Sequence, residues 1–341
     1  MRITQIVELT SGATATVLNL LLIPFILTKS SQRIGKYKWF LLAYTVNACY
    51  LATSQFTALP TWYIPENGYF FISTVDILPR WIQQIQVMSF VSSYTFNAII
   101  LTWSFLYRLS IIESPKPWIV RCPYCPLALL ASVCLAIYMV GSCHAIMPTE
   151  ETDRIFRDEL LSATGIEPKN VGYIGGEITI DGEVNLGMAI CLGSYIVFVF
   201  SACSIFLICW HKIGSKLREI RNIASCTYKF QYKLYVLLTL QTCMPIVFNI
   251  FPAFIVFVFS LAKIPAGEVI LVCACVVSFA QISDPIFTIL LVADYKEAIC
   301  YWKHRCLRLL GMGTMTGTSV VSNTVVPTSI IITRPGNSYQ A

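Results

Sequence analysis

Charged residues are scarce in this chain. Asp, Glu, Lys and Arg make up only 12% of its 341 residues, whereas hydrophobic residues make up 56%. Soluble domains carry about twice that charged fraction, so the composition excludes a sizeable soluble domain. The net charge of +6 comes from basic residues spread over several short segments, which suits contact with anionic lipid better than binding to nucleic acid. We therefore predict a membrane protein without a nucleic-acid partner.

Residues that support catalysis are also rare. The three histidines, His144, His211 and His304, are far apart in the sequence, and no metalloprotease motif, nucleophile elbow or phosphate-binding glycine loop is present. Cys122 and Cys125 form a C-x-x-C that lacks a second pair and a neighbouring histidine cluster, which is too little for a zinc or redox site. The sequence thus predicts no enzyme, no cofactor and no metal site.

Cysteine is missing from one set of hydrophilic segments. None of the 14 cysteines lies in residues 1–5, 61–83, 148–185 or 260–267, so these segments cannot be joined by disulfides. The chain also lacks an Asn-x-Ser/Thr acceptor, which excludes N-glycosylation.

Seven hydrophobic stretches fill most of the chain. Each is long enough to cross the hydrocarbon core of a bilayer, which takes about 20 apolar residues in a helix. We number them as predicted spans one to seven: 6–28, 38–60, 84–107, 126–147, 186–210, 234–259 and 268–293. The first lacks a convincing cleavage site, so we interpret it as a retained span, with a cleaved signal peptide as the open alternative. The predicted fold class is an all-α membrane protein, a seven-transmembrane helix bundle.

The basic residues lie mostly on one side of these spans. Eighteen of the 24 Lys and Arg residues belong to the loops after spans one, three and five or to the C-terminal tail. Cytoplasmic loops accumulate Lys and Arg. We therefore predict that the N-terminus is outside the cell and the C-terminus inside.

One outer loop and the C-terminal region have further features. Loop 148–185 contains nine acids and three bases, and Pro148-Thr149-Glu150-Glu151-Thr152 predicts the start of a short helix that ends at Gly165. We interpret the acids as a solvated lid, with a metal or cationic-ligand site as the sharper alternative. Residues 294–310 predict an amphipathic helix on the inner leaflet, and residues 311–341 a disordered cytoplasmic tail rich in Ser and Thr. Palmitoylation candidates in the helix are Cys300 and Cys306.

One acid, Asp284, is predicted to lie deep inside a span. A buried ionisable group is costly in lipid and marks a candidate functional site. Asp284 precedes Pro285, which removes a backbone hydrogen bond and favours a kink, and Pro245 and Pro252 interrupt span six in the same way. We predict that Asp284, Pro285 and Pro245 form a conformational switch. The alternative is that neighbouring helices hold these prolines in a static bundle.

Polar residues in the outer halves of spans three, five, six and seven are the ligand-binding candidates. A mostly apolar pocket with a few polar groups suits a small, partly hydrophobic molecule. The candidates are Ser93, Tyr94, Asn97, Tyr195, Asn249 and Ser278. For each of them, hydrogen bonding between helices is the competing role.

Several short motifs follow one another in a characteristic order up to about residue 300. They are Ile34-Gly35-Lys36-Tyr37-Lys38, Tyr107-Arg108 ending span three, Pro148-Thr149-Glu150-Glu151-Thr152-Asp153, Gln241 and Pro245 in span six, Asp284-Pro285 in span seven, and Asp294-Tyr295-Lys296-Glu297-Ala298-Ile299. In this order and spacing the chain resembles the nematode serpentine chemoreceptors of the STR class, which are seven-transmembrane G-protein-coupled receptors.

The resemblance implies a plasma-membrane receptor on the sensory cilium of chemosensory neurons. Its ligand would be a small environmental molecule, volatile or partly hydrophobic, and its partners a heterotrimeric G protein and membrane lipid. A homo- or heterodimer stays open. The residues that would face the G protein are Tyr107, Arg108, Lys216, Arg218 and Arg221.

Other classes of membrane protein also use helical bundles. A ligand-gated ion channel or a transporter of seven spans is the main alternative, although neither a line of intramembrane charges nor paired interrupted helices is present in the sequence. An insect-type odorant receptor channel would place its N-terminus inside, against the charge asymmetry. A scaffolding membrane protein is the third alternative, and it predicts no nucleotide exchange with any ligand.

Overall fold

The structure is a computed structural model of the chain. It describes residues 3–30, 34–64, 68–75, 77–113, 119, 124–142, 146–158, 161, 167–180, 182–220, 225–262 and 267–309. The predicted tail 311–341, Arg221 and Gly165 lie outside the described residues, as does the side chain of Cys306.

Helices form most of the described chain. In order they are α1 (Ile3–Lys29), α2 (Lys38–Ala58), α3 (Arg80–Glu113), α4 (Cys125–Ser142), α5 (Glu150–Ile155), α6 (Leu186–Ile220), α7 (Ser225–Pro245), α8 (Phe251–Leu261), α9 (Gly267–Leu291) and α10 (Ala293–Leu309). Short 3₁₀ turns occupy Gly35–Tyr37 and Pro168–Asn170, and a π-helical turn, Ile246–Ile250, joins α7 to α8. With α7 and α8 counted as one, the long helices match the seven predicted spans, which confirms the mainly helical fold class.

Five described segments are long and apolar enough to cross a membrane. They are Thr4–Lys29, Arg80–Glu113, Leu186–Glu219, Tyr228–Val256 and Val269–Leu291. Helix α4 is apolar but shorter, with its apolar part at Cys125–Gly141. Helix α2 has 21 residues, and its polar side chains, which include Thr45, Asn47 and Gln55, lower its average hydrophobicity.

Two helices extend beyond their predicted spans. Helix α3 continues to Glu113 and helix α6 to Ile220. Consequently Lys212, Lys216 and Arg218 lie on a helix rather than in the loop predicted to follow span five. Hydrophobicity marks where a chain leaves lipid, but a helix ends only where its backbone hydrogen bonding stops, and that point can lie beyond the membrane.

The long helices pack around two hydrophobic clusters. Helix α1 packs against α2 and α9, α2 against α3, α3 against α6, and α7 against α9. One cluster comprises Leu22, Ile26, Ile34, Tyr37, Leu41, Tyr107, Leu234, Leu237, Val292 and Tyr295. The other comprises Tyr44, Leu101, Phe105, Leu109, Phe206, Cys209, Ile213, Leu217 and Leu238. Exposed apolar side chains on α4 and α6, such as Leu130, Val197 and Phe200, give these helices faces suited to lipid.

A three-stranded antiparallel sheet closes one end of the bundle, which we call the sheet end. Strand β2 (Gly68–Ser73) lies between β1 (Pro60–Tyr63) and β3 (Tyr173–Glu177). Phe70 and Ile72 from β2 pack with Phe156 and Tyr173, while Phe71 packs on α3. Strands β4 (Thr179–Ile180) and β5 (Glu183–Val184) form a separate hairpin. The sequence predicted only a short helix in the loop that supplies β3, so the strands are an addition to the predicted fold.

The prolines affect the helices differently. Helix α9 continues through Pro285 without a break. After Pro245 the backbone widens into the π-helical turn, where the Phe251 N–H donates to the Ile246 carbonyl. Turns of this kind often lie at functional sites. The switch role of Pro285 and Pro245 stays a prediction.

Helix α10 includes the predicted amphipathic segment. The chain divides into two compact units, residues 1–299 and 300–341. In the first unit, Tyr295 is fully buried and its hydroxyl lies 2.7 Å from the Ser30 hydroxyl. Burial raises the pKa of Tyr295 to about 12, so its hydroxyl stays protonated at neutral pH. The position of α10 on a membrane stays a prediction.

Candidate functional site

A partly buried ion pair links the loop 148–180 to the start of α3. Arg80 donates from both terminal nitrogens to the Asp153 carboxylate, at 2.7 and 2.6 Å. Asp153 is 4% exposed and also accepts a 2.8 Å hydrogen bond from the Tyr173 hydroxyl. Burial raises the pKa of that hydroxyl above its ordinary range, so it remains a donor. The interpretation of the loop acids as a solvated lid is therefore wrong for Asp153.

Helix α5 presents Asp153 because its start is capped locally. The Thr149 side chain accepts from the Thr152 N–H, and the Thr152 side chain accepts from the Thr149 N–H. This reciprocal capping satisfies two N–H groups that a helix start leaves unpaired. The helix begins where the sequence predicted, and its capping turns Asp153 towards Arg80.

Gln83 fastens the same loop at a second point. Its side chain donates to the carbonyls of Leu78 and Asn170 and accepts a 2.8 Å hydrogen bond from the Gly172 N–H. Gly172 lies so close to α3 that an added Cβ would be 2.4 Å from the Gln84 nitrogen. Only glycine permits this approach.

Below the sheet, a narrow pocket lies between α1, α2, α3 and α9. It is lined by Glu8, Gln55, Pro60, Trp62, Phe71, Phe90, Ala274, Val277 and Ser278 and is wide enough for about one water molecule. Glu8 and Gln55 are each 2% exposed, and within the described part of the chain Glu8 Oε2 and Gln55 Oε1 have no hydrogen-bond partner. The pocket therefore holds two buried oxygen atoms that can still accept a hydrogen bond.

Glu8 was missed by the sequence analysis, which treated Asp284 as the only acid deep in a span. Glu8 lies near the start of α1 rather than deep in the span, but neighbouring helices make it nearly inaccessible to water. A signal was present in the sequence: Glu8 is an isolated acid at the start of an otherwise apolar stretch.

Asp284 lies in a second polar region, between α2, α7 and α9. Its Oδ2 accepts a 2.6 Å hydrogen bond from the Tyr44 hydroxyl, whereas its Oδ1 has no partner among the residues that the structure describes. One turn further along α9, Thr288 accepts from the Gln241 amide at 3.1 Å. Asp284 is 7% exposed, so its predicted burial is confirmed.

The predicted ligand-binding residues do not form one cluster. Asn97 accepts a 2.6 Å hydrogen bond from Asn47, which also donates to the Ser93 carbonyl. Ser93 itself donates to the Ser89 carbonyl. Ser93 and Asn97 thus join α2 to α3, which favours their competing role as interhelical hydrogen-bonding residues.

The other candidates remain more open to a ligand. Ser278 lies in the pocket beside Glu8. The Tyr94 hydroxyl is buried near Gln281 and Tyr195, but neither Tyr94 nor Gln281 achieves hydrogen-bond geometry. Asn249 lies in the π-helical turn with its side-chain oxygen unpartnered.

At the opposite end of the bundle, Arg108 is buried, and no acid among the described residues pairs with it. It is 4% exposed, its guanidinium carbon lies 3.7 Å from the centre of the Tyr37 ring, and Nη1 donates to Gln231 of α7 at 3.1 Å. Nε and Nη2 make no hydrogen bond of good geometry with the described residues, although the Tyr37 side chain interacts with the guanidinium electrostatically as well. Tyr107 packs in the adjacent cluster. The guanidinium therefore links α3 to α7 and keeps two donors unused.

Of the other residues predicted to face the G protein or to carry lipid, the structure describes the side chains of Lys216, Arg218 and Cys300, which lie on helix surfaces. Lys216 pairs with Glu219 at 2.8 Å, and Arg218 donates to Ser215 at 3.2 Å. Cys300 is an exposed free thiol. These positions are accessible, and their roles stay predictions.

Comparison with known proteins agrees with this architecture. The family model described as "Serpentine type 7TM GPCR chemoreceptor Str" matches residues 4–300. A curated protein of Caenorhabditis briggsae, "Serpentine receptor class r-10", is 23% identical over 299 residues, which are 83% of this chain and 85% of that protein.

Proposed function

Because this chain belongs to the Str family of serpentine seven-transmembrane G-protein-coupled chemoreceptors, a family of multi-pass membrane proteins, we propose that it detects a small environmental molecule. The ligand enters at the sheet end, which faces outside the cell. The signal passes to a heterotrimeric G protein at the Arg108 end, on the inner side. The predicted sensory cilium is the corresponding cellular location, and membrane lipid surrounds the bundle.

The observation that carries this proposal is the contact between Arg108 and Gln231. The neutral amide of Gln231 holds the buried Arg108 guanidinium only weakly to α7, because a hydrogen bond to a neutral partner is weaker than one to a carboxylate. Moving α7 away from α3 would release Arg108, whose two unused donors could then bind an acceptor on the G protein. We propose Tyr107, Lys216, Arg218 and Arg221 as the other residues that face the G protein.

The composite helix α7–α8 offers a physical connection between the two ends. Gln231 lies near its start, and Asn249 lies in its π-helical turn, about 27 Å further along a helix. Asp284 and Tyr44 lie between these levels and join α9 to α2. We propose that a ligand near Tyr94, Asn249 and Ser278 changes the packing of α7–α8 and thereby weakens the Arg108–Gln231 contact.

The test is guanine-nucleotide exchange on purified G protein by receptor reconstituted in lipid. Gln231→Leu removes the hydrogen bond that links Arg108 to α7, so we expect higher exchange without ligand. Arg108→Leu should abolish ligand-dependent exchange. Lys233→Gln changes an exposed neighbour on α7 and should not raise exchange without ligand.

Ligands are found by screening volatile and water-soluble compounds in cells that express the receptor, with and without G-protein α subunits. A response that requires the G protein is expected. A membrane current that persists without any G protein would instead identify a ligand-gated channel. No increase in exchange for Gln231→Leu would contradict the proposed role of the Arg108 contact.

A further inference from the structure

The pocket beside Glu8 presents hydrogen-bond acceptors to anything that enters it. Glu8 Oε2 is unpartnered, and its residue is 2% exposed. When Glu8 is ionised, its carboxylate only accepts hydrogen bonds, so a group bound to that form must supply the donor. Keeping a buried carboxylate ionised without a partner is costly, and a cation bound beside it would stabilise the ionised form.

The second acceptor is Gln55 Oε1, and its orientation follows from its neighbours. The Ser278 hydroxyl donates to the Ala274 carbonyl at 2.9 Å, so its hydrogen is already used. Gln55 must therefore donate to Ser278 through Nε2, at 2.6 Å. This hydrogen bond fixes the amide and leaves Oε1 as the free acceptor.

The remaining walls favour a cation. Three aromatic rings, Trp62, Phe71 and Phe90, line the pocket, and none of the described residues lining it is basic. Aromatic faces attract cations through the ring quadrupole. Two free acceptors among aromatic rings match a positively charged group with several N–H donors.

We propose that this pocket binds the ammonium group of a small amine, and that small amines are a ligand class of the receptor. The space for about one water molecule fits an ammonium group and excludes a large substituent without rearrangement. This inference rests on the proposed function, because it identifies this pocket as part of the receptor's ligand site.

The experiment measures thermal unfolding of the full-length purified receptor with methylammonium chloride, sodium chloride or acetone at equal concentration. About 10 mM or more is needed, because a ligand of so few atoms gains little binding free energy. We expect methylammonium to raise the unfolding temperature of the unmodified receptor. Glu8→Gln should remove the shift, whereas Glu150→Gln, which changes an exposed acid of α5, should retain it.

A second variant tests the aromatic wall without touching the acid. Phe90→Leu keeps the apolar packing but removes one ring, and we expect the affinity for methylammonium to fall roughly two- to thirty-fold. If Glu8→Gln does not fold, Phe90→Leu still tests whether the pocket binds methylammonium. Unchanged affinity in Phe90→Leu would overturn the proposal.

The other ligands separate the alternatives. An equal rise in unfolding temperature with sodium chloride would mean a simple cation site. A rise with acetone in place of methylammonium would mean that a protonated Glu8 donates to a carbonyl. Either result overturns the proposal. So does the absence of any methylammonium shift. G-protein activation by another compound, together with any of these results, would leave the receptor function intact and refute only the amine specificity.

Discussion

Two ion pairs that involve the loop 148–180 differ in how far water reaches them. Asp153 is 4% and Arg80 29% exposed, and their bidentate geometry leaves both carboxylate oxygens paired with the guanidinium. Arg157 and Glu167 are 61% and 39% exposed, so water screens their attraction. The two Arg–carboxylate pairs should therefore contribute different amounts to the free energy of unfolding.

The buried pair should be the stronger of the two. Asp153→Asn leaves Arg80 without a counter-charge, and we expect the free energy of unfolding to fall by about 2 kcal/mol, less than for a fully buried pair because Arg80 is partly solvated. Arg157→Gln should change it by less than about 0.5 kcal/mol. Thermal unfolding of the purified receptor compares the two variants, and equal losses would contradict the role given to Asp153.

The Tyr44–Asp284 hydrogen bond gives a second prediction at this scale. Tyr44→Phe leaves both Asp284 oxygens without a partner, and we expect a loss of about 1–3 kcal/mol in stability. Tyr50→Phe is the matched control, because Tyr50 lies on the same helix and is 47% exposed. Asp284→Asn keeps an acceptor for Tyr44 and should cost less than Asp284→Ala. A neutral Tyr44→Phe would show that the hydrogen bond does not stabilise the bundle.

At the level of elements, the sequence predicts the helices better than the strands. A long apolar run is a local signal, so the seven spans could be located without knowing their neighbours. The sheet depends on distant partners: Phe70 of β2 lies opposite Gly175 of β3, and Arg80 pairs with Asp153, 73 residues away. Strands of two to six residues carry too little periodicity to be predicted alone.

The substitution Gly172→Ala tests whether the loop 148–180 packs closely on α3. Gly172→Ala places a methyl group 2.4 Å from the Gln84 nitrogen, so the loop must move away and the hydrogen bond to Gln83 is weakened or lost. We expect lower thermal stability and faster proteolysis of the loop.

Gly193→Ala is the control for this substitution. Gly193 lies in α6 with no heavy atom within 4 Å of the added Cβ, so alanine should be neutral or stabilise by about 0.5–1 kcal/mol. Similar destabilisation by both substitutions would refute the close contact at Gly172.

The whole molecule has two chemically different ends. The sheet end holds the unpartnered oxygens of Glu8 and Gln55, whereas the opposite end holds Arg108 with unused donors. The sequence predicted Ser278, Asp284 and Arg108 from their residue types and positions in spans. It could not predict that Gln55 meets Ser278, 223 residues away, because that meeting depends on how α2 and α9 pack.

Charge distribution predicts the direction in which this molecule crosses the membrane. Eighteen of the 24 Lys and Arg residues lie on the side predicted to be cytoplasmic. We expect an epitope tag at Met1, or one inserted after Glu183 in the β4–β5 hairpin, to bind antibody on intact cells. A tag at Ala341 should bind only after permeabilisation. The reverse pattern would place the sheet end inside the cell and would contradict ligand entry there, whereas disagreement between the Met1 and Glu183 tags would contradict the number of crossings between them.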